Sequence, residues 1–165
     1  MGLTGFGLED PKVCFKRKFR WLFKIKDVSA DGVNALPPSS SARPNINFKE
    51  VNAEHLTETI YFPSKPDWKP VKLTLYDLTK GEHPVIKWMT SLYDPKEGNW
   101  EPDVTKYKKE ATLELYDGCG GKIEEWTYEN AWFQSIDFGD LDMGDSEVLT
   151  VDLSLRYDRA YIVEE

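Results

Sequence analysis

The feature of this sequence that most constrains its fold is an alternation of apolar and polar residues with a period of two. Such alternation is typical of β-strands that bury one face and expose the other. It recurs in four segments, which are Phe19–Ile25, Val71–Tyr76, Ala111–Leu115 and Leu149–Tyr157. We expect the last of these to be the final strand of the chain. With the further strands suggested by aromatic-rich stretches, we predict a mainly β chain of about seven to eight strands. The expected architecture is an antiparallel β-sandwich or partly closed barrel.

A single helix interrupts this pattern at about residues 83–93. Pro84 suits the first position of a helix, and Asp94-Pro95 suits its end. Four apolar residues in between follow helical spacing and form one stripe: Val85, Trp88, Met89 and Leu92. Such a stripe indicates a helix packed on the core rather than a cofactor site.

The 165 residues fit one domain. We expect a flexible arm at residues 1–14 and a long loop at residues 27–44, with at most a short edge strand in that loop. Two strands that begin at Ile46 and end at Phe62 predict a projecting β-hairpin. Its tip is expected at Val51, Asn52, Ala53, Glu54, His55 and Leu56.

Turn residues predict the other connections. The prolines of Pro63–Pro70 suggest a turn region, and Pro95–Lys106 suggests a loop. Asp117–Gly121 holds three glycines and predicts a tight turn between two strands. The aromatic stretch Ile123–Phe138 predicts a strand with a break or bulge near Asn130.

Charge is distributed unevenly along the chain, whose formal net charge is −8. Lys12–Lys26 holds seven basic and no acidic residues, whereas Asp137–Glu165 holds nine acidic and two basic ones. Opposite patches of this kind permit head-to-tail self-association. Two alternatives stay open: the basic segment contacts nucleic acid, or both segments are simply solvated. The overall acidity argues against a surface that coats DNA.

The sequence shows no arrangement typical of catalysis. His55 and His83 lack a second ligand at metal-like spacing. Glu124 and Glu125 are neighbours on a strand and point to opposite faces, so they do not form an acid–base pair. No nucleophile motif and no glycine-rich phosphate cradle is present. We therefore expect no enzyme, no metal and no cofactor. We also see no apolar run long enough to span a membrane. No secretory signal is evident either.

The two cysteines allow two interpretations. Cys14 falls in the expected arm and Cys119 in the glycine-rich turn, although free cysteine is usually buried. Both can be reduced thiols of a reducing compartment. Alternatively, they form a disulfide between neighbouring copies, because an arm can reach across an interface.

Several short motifs, in their order along the chain, resemble the tail tube proteins of contractile-tailed bacteriophages, a family related to type VI secretion tube proteins. The motifs are the aromatic strand Phe19–Ile25, the hairpin Ile46–Phe62, Asp67–Leu75, Ile86-Lys87-Trp88, Thr105–Ala111, Trp126–Asp137 and Ser146–Tyr157. Together they cover roughly residues 15–160. Each motif is weak alone, and their order and spacing carry the resemblance.

The resemblance implies a structural virion protein of the phage tail, assembled in the host cytoplasm. Hexameric rings would stack into a hollow tube that delivers DNA when the sheath contracts, with the hairpin docking on the adjacent ring. A sheath protein, a baseplate initiator, a tape measure and a tail terminator would be partners. DNA would pass through the tube without specific binding, since carboxylates in the lumen repel phosphate. No membrane would be involved. Candidate lumen carboxylates are Glu58, Glu110 and Glu114.

Three other functions remain as alternatives. The chain could be the tube subunit of an injection or secretion machine, which belongs to the same structural class. It could instead be a monomeric β-sandwich binding module that uses its aromatic residues as a ligand platform. A hydrolase built on two carboxylates would require both in one cleft.

Overall fold

Most of the described chain is β-strand, as the alternation predicts. The computed structural model describes residues 16–28, 36–79 and 83–163. Their strands are β1 (Trp21–Ile25), β2 (Pro38–Ser41), β3 (Ile46–Glu54), β4 (Thr59–Trp68), β5 (Val71–Tyr76), β6 (Tyr93–Asp94), β7 (Asn99–Trp100), β8 (Lys109–Tyr116), β9 (Lys122–Asp137), β10 (Thr150–Arg156) and β11 (Arg159–Ile162). The two helices are α1 (Pro84–Leu92) and α2 (Val104–Tyr107).

Seven strands form the main antiparallel sheet, in the order β1-β8-β9-β10-β5-β2, with β11 beside β9. Strand β9 connects its two halves. The first part of β9 pairs with β8 and β11, and the last part pairs with β10. Between them Asn130 has a φ of 55°, a left-handed conformation that interrupts regular pleating. The predicted break at Asn130 is therefore confirmed, and it allows one strand to serve both layers of a sandwich.

The core lies between these layers and follows directly from the alternation. Phe23, Leu73 and Leu153 are buried, while their neighbours along each strand are more exposed. Aromatic rings link the layers. Tyr128 packs 5.5 Å from Phe23 and 4.9 Å from Tyr157, measured between ring centroids.

Helix α1 covers one side of this core, and its bounds agree with the prediction. His83 is its N-cap, because the Nδ1 atom accepts a hydrogen bond from the backbone N–H of Ile86. Val85 and Trp88 are buried, and Met89 and Leu92 pack against the core from partly buried positions.

The strand order of the main sheet ends at β1 and β2, which lie close to each other without pairing, and β11 is a further edge, because among the described strands it pairs only with β9. The sheet is therefore a sandwich that does not close into a barrel. Strand β2 lies within residues 27–44, where a long loop with at most a short edge strand was expected. Residues 29–35 of that loop, the arm at 1–14 and Cys14 lie outside the described residues.

Three local predictions are wrong. Pro63–Pro70 was expected to turn, but β4 continues to Trp68, because Pro63 and Pro66 flank a bulge in a two-stranded ribbon, where proline is tolerated. Pro95–Lys106 is not simply a loop, since it contains β7 and most of α2. The chain also does not end its sheet at Tyr157, because β11 follows and pairs with β9.

Candidate assembly surfaces

The β3–β4 hairpin has one apolar face and one polar face. Residues directly opposite in an antiparallel pair share a face. Val51 lies opposite Phe62, and Ala53 lies opposite Ile60, so these four residues form the apolar face. The next pair along, Asn52 and Tyr61, belongs to the other face, as do Glu54 and Thr59.

This apolar face is open to solvent. Val51, Ile60 and Phe62 are between 42% and 54% exposed. The hairpin forms its own two-stranded sheet, and among the described residues no third strand pairs with it. An isolated two-stranded hairpin is at best marginally stable in water. The hairpin therefore presents an apolar face that no other strand among the described residues of one copy covers.

The tip of the hairpin differs from the prediction. Val51, Asn52, Ala53 and Glu54 belong to strand β3, and the turn itself spans residues 55–58. The backbone N–H of His55 donates to the carbonyl of Glu58 at 2.8 Å and closes this turn. Leu56, at the apex, is fully exposed. The projecting hairpin is confirmed, and its apex lies slightly later in the chain than predicted.

A groove of about 540 Å³ opens at the seam between β1 and β2. Its apolar floor is made by Trp21, Leu113 and Leu115. One wall is the serine run of β2, Ser39–Ser41. Four basic side chains line it as well: Lys16, Arg17, Lys18 and Arg43. Three residues of the predicted basic segment Lys12–Lys26 thus line one wall of a concave site, where they stay exposed to solvent.

A nearly buried carboxylate, Glu124, organises two of these cations. It lies opposite Leu115 in the sheet, is 8% exposed and accepts hydrogen bonds from Lys16 and from the indole of Trp126. Arg43 approaches its other oxygen at 3.5 Å. Burial alone would raise the pKa of the Glu124 carboxyl, but these donors and cations hold that pKa below its usual value. Glu124 therefore stays ionised and fixes one side of the groove.

The candidate lumen carboxylates are not brought together. Glu58 lies in the exposed hairpin turn, and Glu110 is exposed near the start of β8. Glu114 is only 8% exposed and contacts the Tyr116 hydroxyl, with Lys24 at 3.4 Å. Burial alone would raise the pKa of Glu114, but Tyr116 and Lys24 keep it below its usual value. Glu114 is therefore a paired and nearly buried carboxylate within this chain.

The sheet also separates the neighbours Glu124 and Glu125. Glu125 lies opposite Glu114 and binds Lys122, whereas Glu124 lies opposite Leu115 beside the groove. Sequence reasoning placed them on opposite faces but missed the groove itself. The only signal was a charged residue, Glu124, at a position where alternation with Trp126 and Tyr128 calls for an apolar one.

No catalytic arrangement emerges from the described residues. They contain no group of three or more His, Cys, Asp or Glu side chains that could hold a metal ion. His83 is occupied as a helix cap and lies 3.1 Å from an Asp77 carboxylate oxygen. Cys119 is an exposed free thiol in the β8–β9 turn. Over the same residues, no helix has the length and apolar character needed to cross a bilayer.

Comparison with known proteins gives matches at the level of structure. No protein-family profile and no curated protein matches the sequence. The anti-feeding prophage cap, described as a tube-terminating cap, matches with a TM-score of 0.72 and 17% identity over 100% of both chains. The sheath–tube complex of an extracellular contractile injection system in its extended state matches with a TM-score of 0.70 and 16% identity, over 95% of this chain and 94% of the other.

A type six secretion system protein matches more loosely, with a TM-score of 0.53 and 11% identity over 86% of this chain and 81% of its own. At such identities the likeness concerns the fold. The chain therefore has the fold found in contractile injection system assemblies and in a type six secretion system protein, and its resemblance to contractile-tail tube proteins is confirmed at the level of the fold.

Proposed function

We propose that this chain is a structural, non-enzymatic subunit of a contractile-tail tube, in which hexameric rings of the chain stack into a hollow inner tube. The observation that carries the proposal is the uncovered apolar face of the hairpin, formed by Val51, Ala53, Ile60 and Phe62. An exposed apolar face on a projecting ribbon suits a protein interaction site. In the proposed tube, the hairpin docks on the adjacent ring.

The open sandwich supports ring formation. Strands β1 and β2 are the ends of the main sheet, and unpaired strand edges tend to pair with another chain. Copies arranged around an axis would cover these edges. Sheath, baseplate initiator, tape measure and terminator would then be the partners of the assembled tube. In a phage tail, the tube would deliver DNA without binding it, helped by the net charge of −8.

A second candidate is the same tube role in an injection or secretion machine rather than in a virion. It is favoured by the fact that the structural matches described above come from contractile injection and secretion systems. A terminating role would differ visibly from the tube role, because a terminator predicts single rings that do not stack into tubes. A binding module that acts alone would remain monomeric.

The experiment is negative-stain electron microscopy of the concentrated protein, combined with two variants at adjacent positions. Val51→Asp places a charge on the apolar face of the hairpin, whereas Asn52→Asp places the same charge on the polar face. We expect tubes from the unmodified chain and from Asn52→Asp, and unstacked rings or free subunits from Val51→Asp. Deleting Asn52–His55 should likewise prevent stacking while leaving the subunit folded.

Two results would contradict the proposal. Only monomers of the unmodified chain, even when baseplate components are supplied to nucleate assembly, would remove the tube role. Tubes that form equally well from Val51→Asp would show that the apolar face of the hairpin does not make the ring-to-ring contact. Far-UV circular dichroism of each variant separates a failed contact from a failed fold.

A further inference from the structure

The groove at the β1–β2 seam carries more positive charge than the described residues of its own chain neutralise. Arg17 and Lys18 are exposed and have no carboxylate partner among the described residues. Glu124 balances part of the charge of Lys16 and Arg43. With Glu124 counted, the groove keeps a net charge of +3 around an apolar floor. Its complement would be a segment that is both acidic and apolar.

The chain contains such a segment between β9 and β10, at residues 138–149, which we call the acidic loop. It has four carboxylates and no basic residue: Asp140, Asp142, Asp145 and Glu147. Its side chains at Leu141 and Met143 are 87% exposed and fully exposed, respectively. The described structure records only backbone donors for the carboxylates of Asp142 and Asp145, and no cation. Apolar side chains presented so openly between carboxylates suit a docking element.

The groove and the acidic loop of one copy do not meet. The loop contributes no residue to the lining of the groove. The groove lies beside the start of β9, near Glu124, whereas the loop follows the end of β9 at Asp137. The two complementary surfaces therefore sit toward opposite ends of the longest strand. An arrangement of this kind joins copies head to tail, which generates closed rings or open stacks.

We propose that the acidic loop of one copy docks into the basic groove of the next copy, with Leu141 and Met143 on the apolar floor and the carboxylates facing Arg17 and Lys18. The volume of about 540 Å³ falls in the range of pockets that enclose a drug-sized molecule, so two apolar side chains fit. Opposite charges around the rim fix the partner and its orientation. This contact between the acidic loop and the groove rests on the proposed function in one respect, which is that copies of the chain associate.

The first test reverses charges on each side. Arg17→Glu/Lys18→Glu changes the charge of the groove from +3 to −1 without touching the two cations that bind Glu124, and Asp142→Lys/Asp145→Lys changes the charge of the acidic loop from −4 to zero. We expect each variant alone to need a concentration on the order of tenfold higher, or more, for assembly, because like charges then face each other at the substituted positions. An equimolar mixture of the two should assemble like the unmodified chain, since unsubstituted grooves then meet unsubstituted loops, and substituted grooves meet loops whose substituted positions carry the opposite charge.

A matched control separates this effect from general charge. Lys72→Glu/Lys96→Glu makes the same change in net charge as the groove variant, but at exposed lysines outside the groove, and we expect it to leave assembly unchanged. If the groove and loop variants assemble as readily as this control, or if their mixture fails to recover, the docking contact is wrong.

The second test is a cross-link between copies. In a background of Cys14→Ser/Cys119→Ser, one variant carries Ser40→Cys in the groove and another carries Met143→Cys in the loop. Each chain then has a single cysteine, so a disulfide between the two variants can only join two copies. We expect a mixed dimer on non-reducing gels, and none when Lys96→Cys replaces Met143→Cys.

The outcomes separate this contact from the tube role. Tubes without the mixed dimer would show that the acidic loop does not dock in the groove, and would overturn the contact while leaving the tube role intact. A mixed dimer without rings or tubes would support the contact and count against the tube role. No association at any concentration would overturn both.

Discussion

Trp88 is expected to be the residue of helix α1 on which the stability of the subunit depends most. Its side chain is 2% exposed. The indole ring packs edge-on against Phe133 with 5.1 Å between centroids, and its N–H donates to the carbonyl of Tyr107 at 2.6 Å. Trp88 thus joins α1 both to the core and to the end of α2. Replacing it removes the packing and the hydrogen bond together.

We expect Trp88→Ala to destabilise the fold by ~3–5 kcal/mol through the cavity it leaves. Loss of the bond to Tyr107 adds about 1 kcal/mol. Because small domains are stable by only about 5–15 kcal/mol, this variant lies near the limit of folding. Trp88→Phe keeps a ring against Phe133 and loses the N–H donor, so a smaller cost of roughly 1–3 kcal/mol is expected.

The assay is urea unfolding followed by far-UV circular dichroism, since removing an indole also changes the fluorescence signal. Ile86→Ala is the control, because Ile86 lies on the exposed side of the same helix. Its cost should stay below about 1 kcal/mol. A Trp88→Phe midpoint equal to that of Ile86→Ala, at an unchanged denaturant slope, would refute the packing and bonding assigned to Trp88.

Three further predictions concern the β8–β9 region. In the folded chain the pKa of Glu124 lies below its usual value of 4.5, so its ionised carboxylate stabilises the fold fully above pH 4.5, and this stabilisation is lost as the pH falls through the lowered pKa. Glu124→Gln should therefore make the melting temperature depend less on pH at the acid end, and an unchanged pH profile would contradict the ion pairing. Gly118→Ala should cost ~1–3 kcal/mol, because Gly118 has a φ of 99°, a conformation that strains any residue with a Cβ, and the Arg20 guanidinium would have to move aside. Gly144→Ala, at an ordinary φ, should melt close to the unmodified chain. Tyr128→Phe should leave stability unchanged or raise it by up to about 1 kcal/mol, since the buried hydroxyl has no hydrogen-bond partner among the described residues, and a clear drop in melting temperature would reveal one.

Elements with strong local periodicity could be predicted from the sequence. In β1, β5 and β10 the apolar set that alternates along the strand is the set that is buried. Helix α1 followed from the spacing of its apolar stripe and from Pro84 at its first position. These signals are local, because a strand or helix with one buried face imposes its own period on the residue types.

The turn predicted at Pro63–Pro70 was wrong, because the position of a strand in the sheet decides whether proline can be part of it. Pro63 and Pro66 suggest a turn, yet both lie in β4, because the ribbon formed with β3 has free edges and a bulge between Phe48 and Glu50. An edge position needs no N–H donor on its outer side. Whether a strand is an edge depends on the order of strands in the sheet, which the local residues do not encode.

The candidate surfaces likewise combine features that local sequence predicts with features that depend on long-range strand order. The sequence by itself determined that this chain is mainly β, that it has a projecting hairpin, and that its basic and acidic residues are segregated. Only the tertiary structure decided which face of the hairpin is apolar, since that depends on the register between Val51 and Phe62. It also decided that Trp21, Leu115 and Arg43 share one groove around Glu124, because the residues come from strands and loops far apart in the chain. Periodicity acts over a few residues, whereas a groove at a sheet seam exists only once long-range strand order is established.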